Sequence, residues 1–186
     1  MSGFYTGKGD DGTSALFGGG NRLPKDSSVF EFLGSLDELN SWLGVCKAWL
    51  RQSESADTKL LSDMLSQSQE YLFIIQAQAA GADQRLSPGS LKQLESAIAT
   101  LASSLEPAHS FVVPGASLQS SILDVGRTVV RRCERDCIRS TAEQPLPDQA
   151  AVVAYLNRLS SLLYVMARFI NRRRSIEETA PSYDEA

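Results

Sequence analysis

The chain has 186 residues, enough for one well-buried domain or at most two small ones. Its 42% hydrophobic and 22% charged residues are ordinary for a soluble globular protein. The formal net charge of −4 argues against a general nucleic-acid binder, so we expect no nucleic-acid partner.

Targeting signals and cysteines bear on where the protein works. The first residues, MSGFYTG, show no basic region followed by an apolar run, so we expect no secretory signal. The most apolar stretch, LSSLLYVMARFI, is shorter than the ~18 residues of a membrane helix and contains an arginine. The cysteines are odd in number. We therefore predict a cytoplasmic protein with reduced thiols and no membrane segment.

A glycine-rich segment precedes the first helical pattern. It reads YTGKGDDGTSALFGGGNRLPKD and contains six glycines and two lysines. Glycine permits close backbone approach and positive φ angles at an entropic cost, and loops of this kind cradle phosphates with their N–H groups. The segment is not a Walker A loop, because the G-x-x-x-x-G-K-[ST] pattern does not occur in the chain. A disordered arm is the alternative that composition leaves open.

Five amphipathic helical segments follow, in which apolar residues recur at three- and four-residue steps. Their predicted ranges are about 28–50, 58–80, 88–105, 117–140 and 148–173. In the third segment we expect Ser87 to cap the helix and Pro88 to lie in its first turn. Five such helices favour an all-α antiparallel bundle. The chain then divides into a flexible segment 1–27, a bundle 28–174 and a polar, disordered tail 175–186.

The fourth predicted helix carries a row of arginines. If Arg127 is position i, then Arg131, Glu134 and Arg135 follow at i+4, i+7 and i+8 and share one face. Arg132 points about 100° away from Arg131, toward a second surface or a subunit contact. Guanidinium groups match phosphate oxygens two at a time, so this face suits a polyanion. A solvated charged face with Glu–Arg support is the alternative.

Other constellations are weaker. Asp37 and Glu38 are adjacent on a helix and point apart, so they do not form a convincing acid/base pair. Cys133 and Cys137 are one turn apart, but the chain has a single histidine and no nearby Cys-x-x-Cys, which favours core cysteines over a metal site. Phe111 lies in the linker SFVVPG, where a large apolar side chain can face a ligand instead of the core.

Five stretches match the motifs of one known family, in that family's order and across most of the chain. They read YTGKGDDGTSALFGG, RLPKDSSVFEFLGSLDELNSWLG, FVVPG, RTVVRRCERD and YLNRLSSLLYVMARFIN. The chain thereby resembles the PduO-type ATP:cob(I)alamin adenosyltransferases. The resemblance implies a five-helix bundle that assembles as a homotrimer with active sites between subunits. It also implies ATP with Mg²⁺ and cobalamin as substrates.

The resemblance assigns site residues as well. Asp37 and Arg127 match a pair that bridges subunits beside the site, and Phe111 matches the aromatic residue that sits against the corrin. Arg131, Asp37 and Arg127 are the implied catalytic residues. The positions that match the family's nucleotide-binding residues are Thr6, Gly7, Lys8, Gly9, Ser14, Lys25, Arg131, Arg132, Glu134, Arg135 and Asn157.

The implied reaction needs no protein nucleophile or general base. Cobalt(I) attacks C5′ of ATP, a cobalt–carbon bond forms, and triphosphate leaves. The residues expected to stabilise the departing triphosphate are Arg131, Arg135, Lys8 and Lys25. Phe111 is the candidate to fill the place of the lower axial ligand, which makes cobalt(II) reducible. A reductase and an adenosylcobalamin-dependent enzyme are candidate partners.

Departures from the family pattern concern corrinoid handling more than nucleotide binding. Gln76 and Gln78 replace small and acidic residues, Asn21 stands where a glutamate is common, and the C-terminal segment lacks a frequent tryptophan. A non-catalytic ATP- or corrinoid-binding trimer, acting as a sensor, carrier or scaffold, is therefore the alternative function. A plain helical bundle with a charged face is a third reading.

Overall fold

The protein is a bundle of five helices in a computed structural model that describes residues 3–18, 20, 22–106 and 111–183. The helices are α1 (Ser28–Leu50), α2 (Ala56–Ala79), α3 (Ser90–Ala102), α4 (Leu118–Glu143) and α5 (Gln149–Arg173). Two short strands, β1 (Thr13–Ser14) and β2 (Leu23–Pro24), pair antiparallel within the glycine-rich segment. The predicted all-α class is confirmed. Asn21 lies outside the described residues.

The bounds of α3 differ most from the prediction. The residue before the helix is Gly89, which makes no side-chain cap. Ser87 does not cap α3 as predicted; its carbonyl instead accepts a hydrogen bond from Ser90 Oγ at 2.8 Å. Pro88 therefore precedes the helix and does not lie in its first turn. By contrast, α1 begins and ends at the predicted residues.

Successive helices run antiparallel, so the bundle has two distinct ends. At the end called proximal here, Ser28 Oγ of α1 donates to Glu143 Oε2 of α4 at 2.6 Å. At the distal end, Arg173 Nε of α5 lies 3.1 Å from Asp57 Oδ2 of α2. The 26 residues of α4 span the bundle, which places the two ends about 39 Å apart.

The apolar stripes of all five helices meet in one core. Its largest fully buried side chains include Phe32 and Leu36 of α1, Leu72 of α2 and Tyr155 of α5. Helix α5 packs against α2, α3 and α4, which explains its apolar composition. Among the described residues it is the one helix long and apolar enough to cross a membrane, yet 50% of its apolar window is buried inside the bundle. A core helix has the same properties.

The C-terminal segment makes defined contacts after α5. Ser175 has a φ of 53°, which reverses the chain after α5. The N–H of Ile176 then donates to Asn171 O at 2.9 Å, and Glu178 Oε1 lies 2.5 Å from Arg168 Nε. These contacts place residues 176–178 against the distal end, and the disorder of the tail stays a prediction.

Candidate functional site

Arg22 organises the glycine-rich loop. Its Nη2 donates to Lys8 O at 2.5 Å and to Thr13 O at 2.7 Å, and its Nε donates to Thr13 Oγ1 at 2.6 Å. Hydrogen bonds from the backbone and side chain of Thr13, helped by nearby Arg22, lower the pKa of Asp11. The sequence analysis did not assign a role to Arg22. The sequence does indicate such a role, since Arg22 is the one arginine among the glycines of a predicted anion-binding loop.

The loop brings Lys25 onto the predicted phosphate-wrapping residues. A Cβ added at Gly9 would lie 2.9 Å from Lys25 Nζ, so the lysine side chain passes close over Gly9 and would have to shift for a larger residue. The N–H of Lys25 also donates to Gly12 O at 2.9 Å. Gly7 has a φ of +69°, which favours glycine at that turn. Four predicted nucleotide-binding residues are thereby placed in one loop: Gly7, Lys8, Gly9 and Lys25.

The remaining predicted loop residues flank this turn. Thr6 is exposed, and its Oγ1 accepts a hydrogen bond from the N–H of Lys8 at 3.4 Å. Ser14 is half-buried in β1, where it pairs with Leu23 of β2. The strand pair therefore closes the loop and joins it to the start of α1.

A groove of about 570 Å³ between α1 and α4 collects arginines and carboxylates. Its lining residues are Glu31, Gly34, Ser35, Glu38, Arg132, Arg135, Asp136 and Arg139. Arg132 is ion-paired with Glu38, and the hydrogen bond that Arg132 donates to Glu38 raises the pKa of Arg132. Arg139 Nη1 lies 3.0 Å from Asp136 Oδ1, whereas Arg135 is exposed. Among the described residues, Arg135 is thus the predicted phosphate-binding residue of this groove that forms no ion pair, and Arg131 is exposed on the same helix.

Glu134 lies on the other side of α4. It lines a second groove, between α4 and α5, together with Asn157. Asn157 Nδ2 donates to Glu134 Oε1 at 3.2 Å, and Asn157 Oδ1 accepts from Arg158 Nη1 at 2.7 Å. The prediction of one shared face is therefore wrong for Glu134 and Arg135, because a step of one residue turns the helix by about 100°.

Arg127 and Asp37 do not form a pair within one chain. The Nε of Arg127 is buried and has no hydrogen-bond partner among the described residues. Its ion-pair partner is Asp124, whose Oδ1 lies 3.9 Å away, beyond hydrogen-bonding distance. Asp37 is exposed on α1. Arg127 is therefore left with a buried donor that this fold does not satisfy.

Phe111 and the glycine-rich loop stand at opposite ends of the bundle. Phe111 is 80% exposed and precedes α4, at the distal end. The loop meets the proximal end, where the N–H of Phe17 donates to Ala80 O at 2.9 Å, just after α2. One chain therefore does not bring its predicted corrin-facing residue to its predicted nucleotide-binding loop.

The thiols are remote from this chemistry. Each of the three is buried, as predicted, and burial raises its pKa to about 12. They are Cys46, Cys133 and Cys137. Within the described ranges, no group of three or more His, Cys, Asp or Glu side chains is placed to hold a metal ion.

Fold and site together define an all-α bundle protein with a glycine-rich N-terminal loop and arginine-lined grooves. The family model for cobalamin adenosyltransferase matches residues 4–170, and the chain belongs to that family. It is 40% identical over 184 residues to the corrinoid adenosyltransferase of Citrobacter freundii, covering 95% of this chain and 96% of that relative. It is 35% identical over 171 residues to the corrinoid adenosyltransferase PduO of Salmonella typhimurium, covering 88% of this chain and 48% of the relative.

A solved structure has the same fold. It is a variant PduO-type ATP:corrinoid adenosyltransferase from Lactobacillus reuteri complexed with cobalamin and ATP, and it superposes with a TM-score of 0.86. The two sequences are 26% identical, and the match covers 98% of this chain and 97% of the other. The family predicted from the sequence motifs is confirmed.

Proposed function

We propose that this chain transfers the 5′-deoxyadenosyl group of ATP to cob(I)alamin and releases triphosphate. The chain is an ATP:corrinoid adenosyltransferase by its similarity to relatives of that name, one of them matched along nearly its whole length. Within the chain, the observation that carries the proposal is the loop ordered by Arg22. It directs glycine backbone and Lys25 toward one place, as a triphosphate requires.

The protein's task in this reaction is positioning and charge stabilisation. Cobalt(I) of the substrate is the nucleophile at C5′, so no side chain has to gain or lose a proton. Triphosphate leaves with its negative charge, and the side chains that stabilise it are Lys8, Lys25, Arg131 and Arg135. All four are exposed in the isolated chain and are free to reach a ligand. ATP enters as its Mg²⁺ complex, which is substrate.

Complete sites lie between subunits of a homotrimer. Reacting atoms must approach to about 3–3.5 Å, yet Phe111 and the glycine-rich loop are at opposite ends of one bundle. The resemblance to the family implies that residues of a second copy complete each site. Arg127 supports such a contact, because its side chain is 30% exposed and its ion pair with Asp124 spans 3.9 Å, which leaves the guanidinium able to take Asp37 of a neighbouring copy as its partner.

The reaction also implies partner enzymes and a cellular compartment. Cobalt(I) has to be produced by a reductase, and adenosylcobalamin has to pass to an enzyme that depends on it. A cytoplasmic location suits both partners and the corrinoid substrate. Each cysteine is free, which agrees with a reducing compartment.

An anaerobic absorbance assay tests the activity directly. The protein is mixed with chemically reduced cob(I)alamin and Mg-ATP, and we expect the adenosylcobalamin spectrum together with released triphosphate. Absence of product, with ATP binding intact by calorimetry, would favour the non-catalytic sensor, carrier or scaffold.

Replacing Arg131 by Ala tests the phosphate site. We expect ATP affinity to fall about tenfold or more, because a charge-assisted hydrogen bond contributes about 1.5–3 kcal/mol. Thermal unfolding should be unchanged, since Arg131 is exposed. Arg172→Ala, at an exposed position near the end of α5, is the matched control. An unchanged ATP affinity for Arg131→Ala would show that the phosphate site is misassigned.

A further inference from the structure

A chain of polar contacts fastens the C-terminal segment to the distal end of the bundle. Glu178 Oε1 lies 2.5 Å from Arg168 Nε and accepts a hydrogen bond from Asn171 Nδ2 at 2.6 Å. The other end of the Arg168 guanidinium donates to Asp124 Oδ2 at 2.9 Å. Neither the helical periodicity nor the family motifs assigned a role to this cluster.

The cluster holds charges away from water. Arg168 is 8% exposed and Asp124 is 4% exposed. Burial by itself lowers the pKa of Arg168, but the nearby carboxylates of Asp124 and Glu178 outweigh it and raise the pKa. A buried cation of this kind requires its partners, because removing one leaves an uncompensated charge. Asp124 also pairs with Arg127, so Glu178 is the carboxylate that pairs with Arg168 and not with Arg127.

The same cluster reaches the segment that carries Phe111. The amide oxygen of Asn171 accepts a hydrogen bond from Ser117 Oγ at 2.7 Å, and Ser117 caps α4. One residue beyond Glu178, the carbonyl of Thr179 accepts from the N–H of Val113 at 2.9 Å. Residues 111–117 are therefore attached at two points to groups that Glu178 orients.

We propose that Glu178 is a positioning residue for the corrinoid: it holds residues 175–180 against residues 111–117 and thereby sets where Phe111 is presented. This inference rests on the proposed function, in which Phe111 contacts the corrin. Glu178 itself touches no substrate. The glycine-rich loop is held by its own contacts, from Arg22 to Lys8 and from Lys25 to Gly12, so a loss at Glu178 should affect the corrinoid selectively.

The test compares Glu178→Gln with the wild-type enzyme in the anaerobic assay. We expect the KM for cob(I)alamin to rise about tenfold, while the KM for ATP stays within about twofold. Hydrogen exchange at the amide of Val113 should become faster, because its acceptor on Thr179 is no longer held. The neighbouring Glu177→Gln, at an exposed position, removes the same charge and should behave as wild type.

Each outcome decides the inference. An active wild type with an unchanged corrinoid KM in Glu178→Gln would refute it, and equal increases in both KM values would reduce Glu178 to a structural role. A wild type that forms no product would refute the proposed function itself. If Glu178→Gln does not fold, the double variant R168Q/E178Q replaces it, because it removes the uncompensated cation and leaves Asp124 paired with Arg127. We expect the same selective rise in the KM for cob(I)alamin, and its absence would refute the inference.

Discussion

Arg22→Ala should weaken ATP binding without unfolding the bundle. The substitution removes three hydrogen bonds, two to Thr13 and one to Lys8. The Arg22 side chain is 38% exposed, so water competes for these donors. We therefore take about 0.5 kcal/mol for each bond, at the low end of the range for hydrogen bonds, or about 1.5 kcal/mol for the ordered loop.

When Arg22 is absent, part of the free energy of ATP binding must be used to order the loop. Since about 1.4 kcal/mol corresponds to a factor of ten, we expect the ATP affinity to fall about tenfold. Calorimetry with Mg-ATP measures the affinity, and thermal unfolding checks the bundle. Arg22→Lys should show an intermediate loss, because an ammonium keeps the charge but not the fork in which Nη2 donates to both carbonyls and Nε to the Thr13 hydroxyl.

The matched control is Arg51→Ala, at an exposed position after α1 and at the distal end. It should leave the ATP affinity unchanged. If Arg22→Ala binds ATP as tightly as wild type, the contacts of Arg22 do not organise the nucleotide site, and the loop must become ordered on ATP by other groups.

Three further predictions concern the interface, the core and the thiols. Charge reversal at Asp37 or Arg127 should impair activity or assembly, and the double reversal should restore it; no coupling in the double-mutant cycle would count against the subunit pair. Gly126→Ala should destabilise the bundle by about 1–3 kcal/mol despite better helix propensity, because the added Cβ would lie 2.9 Å from the ring of Trp42. Gly44→Ala, whose Cβ would meet Gln69 Nε2 at 3.7 Å, should instead be neutral or stabilising by about 0.5–1 kcal/mol in chemical denaturation. The three thiols, with a pKa of about 12, should resist alkylation at pH 8 until the protein unfolds, and rapid labelling of the native protein in a mass spectrum would contradict their burial.

Helices were predictable because their pattern is local. The apolar side chains of α1 recur at three- and four-residue steps, and the helix begins and ends where that repeat predicts. The start of α3 was not predictable in the same way, because Ser87 and Pro88 fit a helix N-terminus by residue type but the backbone places Gly89 there. The contacts of the tail were not predictable for a related reason, since composition counts its charges but does not show that Glu178 pairs with Arg168.

The sequence by itself determined the family, the five helices and the residue types available for a polyanion, since motifs and periodicity are properties of neighbouring residues. Only the tertiary structure decided which charged side chains already form ion pairs within the chain. It pairs Arg132 with Glu38 and Arg168 with Asp124 and Glu178, contacts between residues far apart in the chain. It also placed Phe111 and the glycine-rich loop at opposite ends. The physical reason is that an ion pair depends on how helices pack, and no local pattern encodes the partner across the bundle.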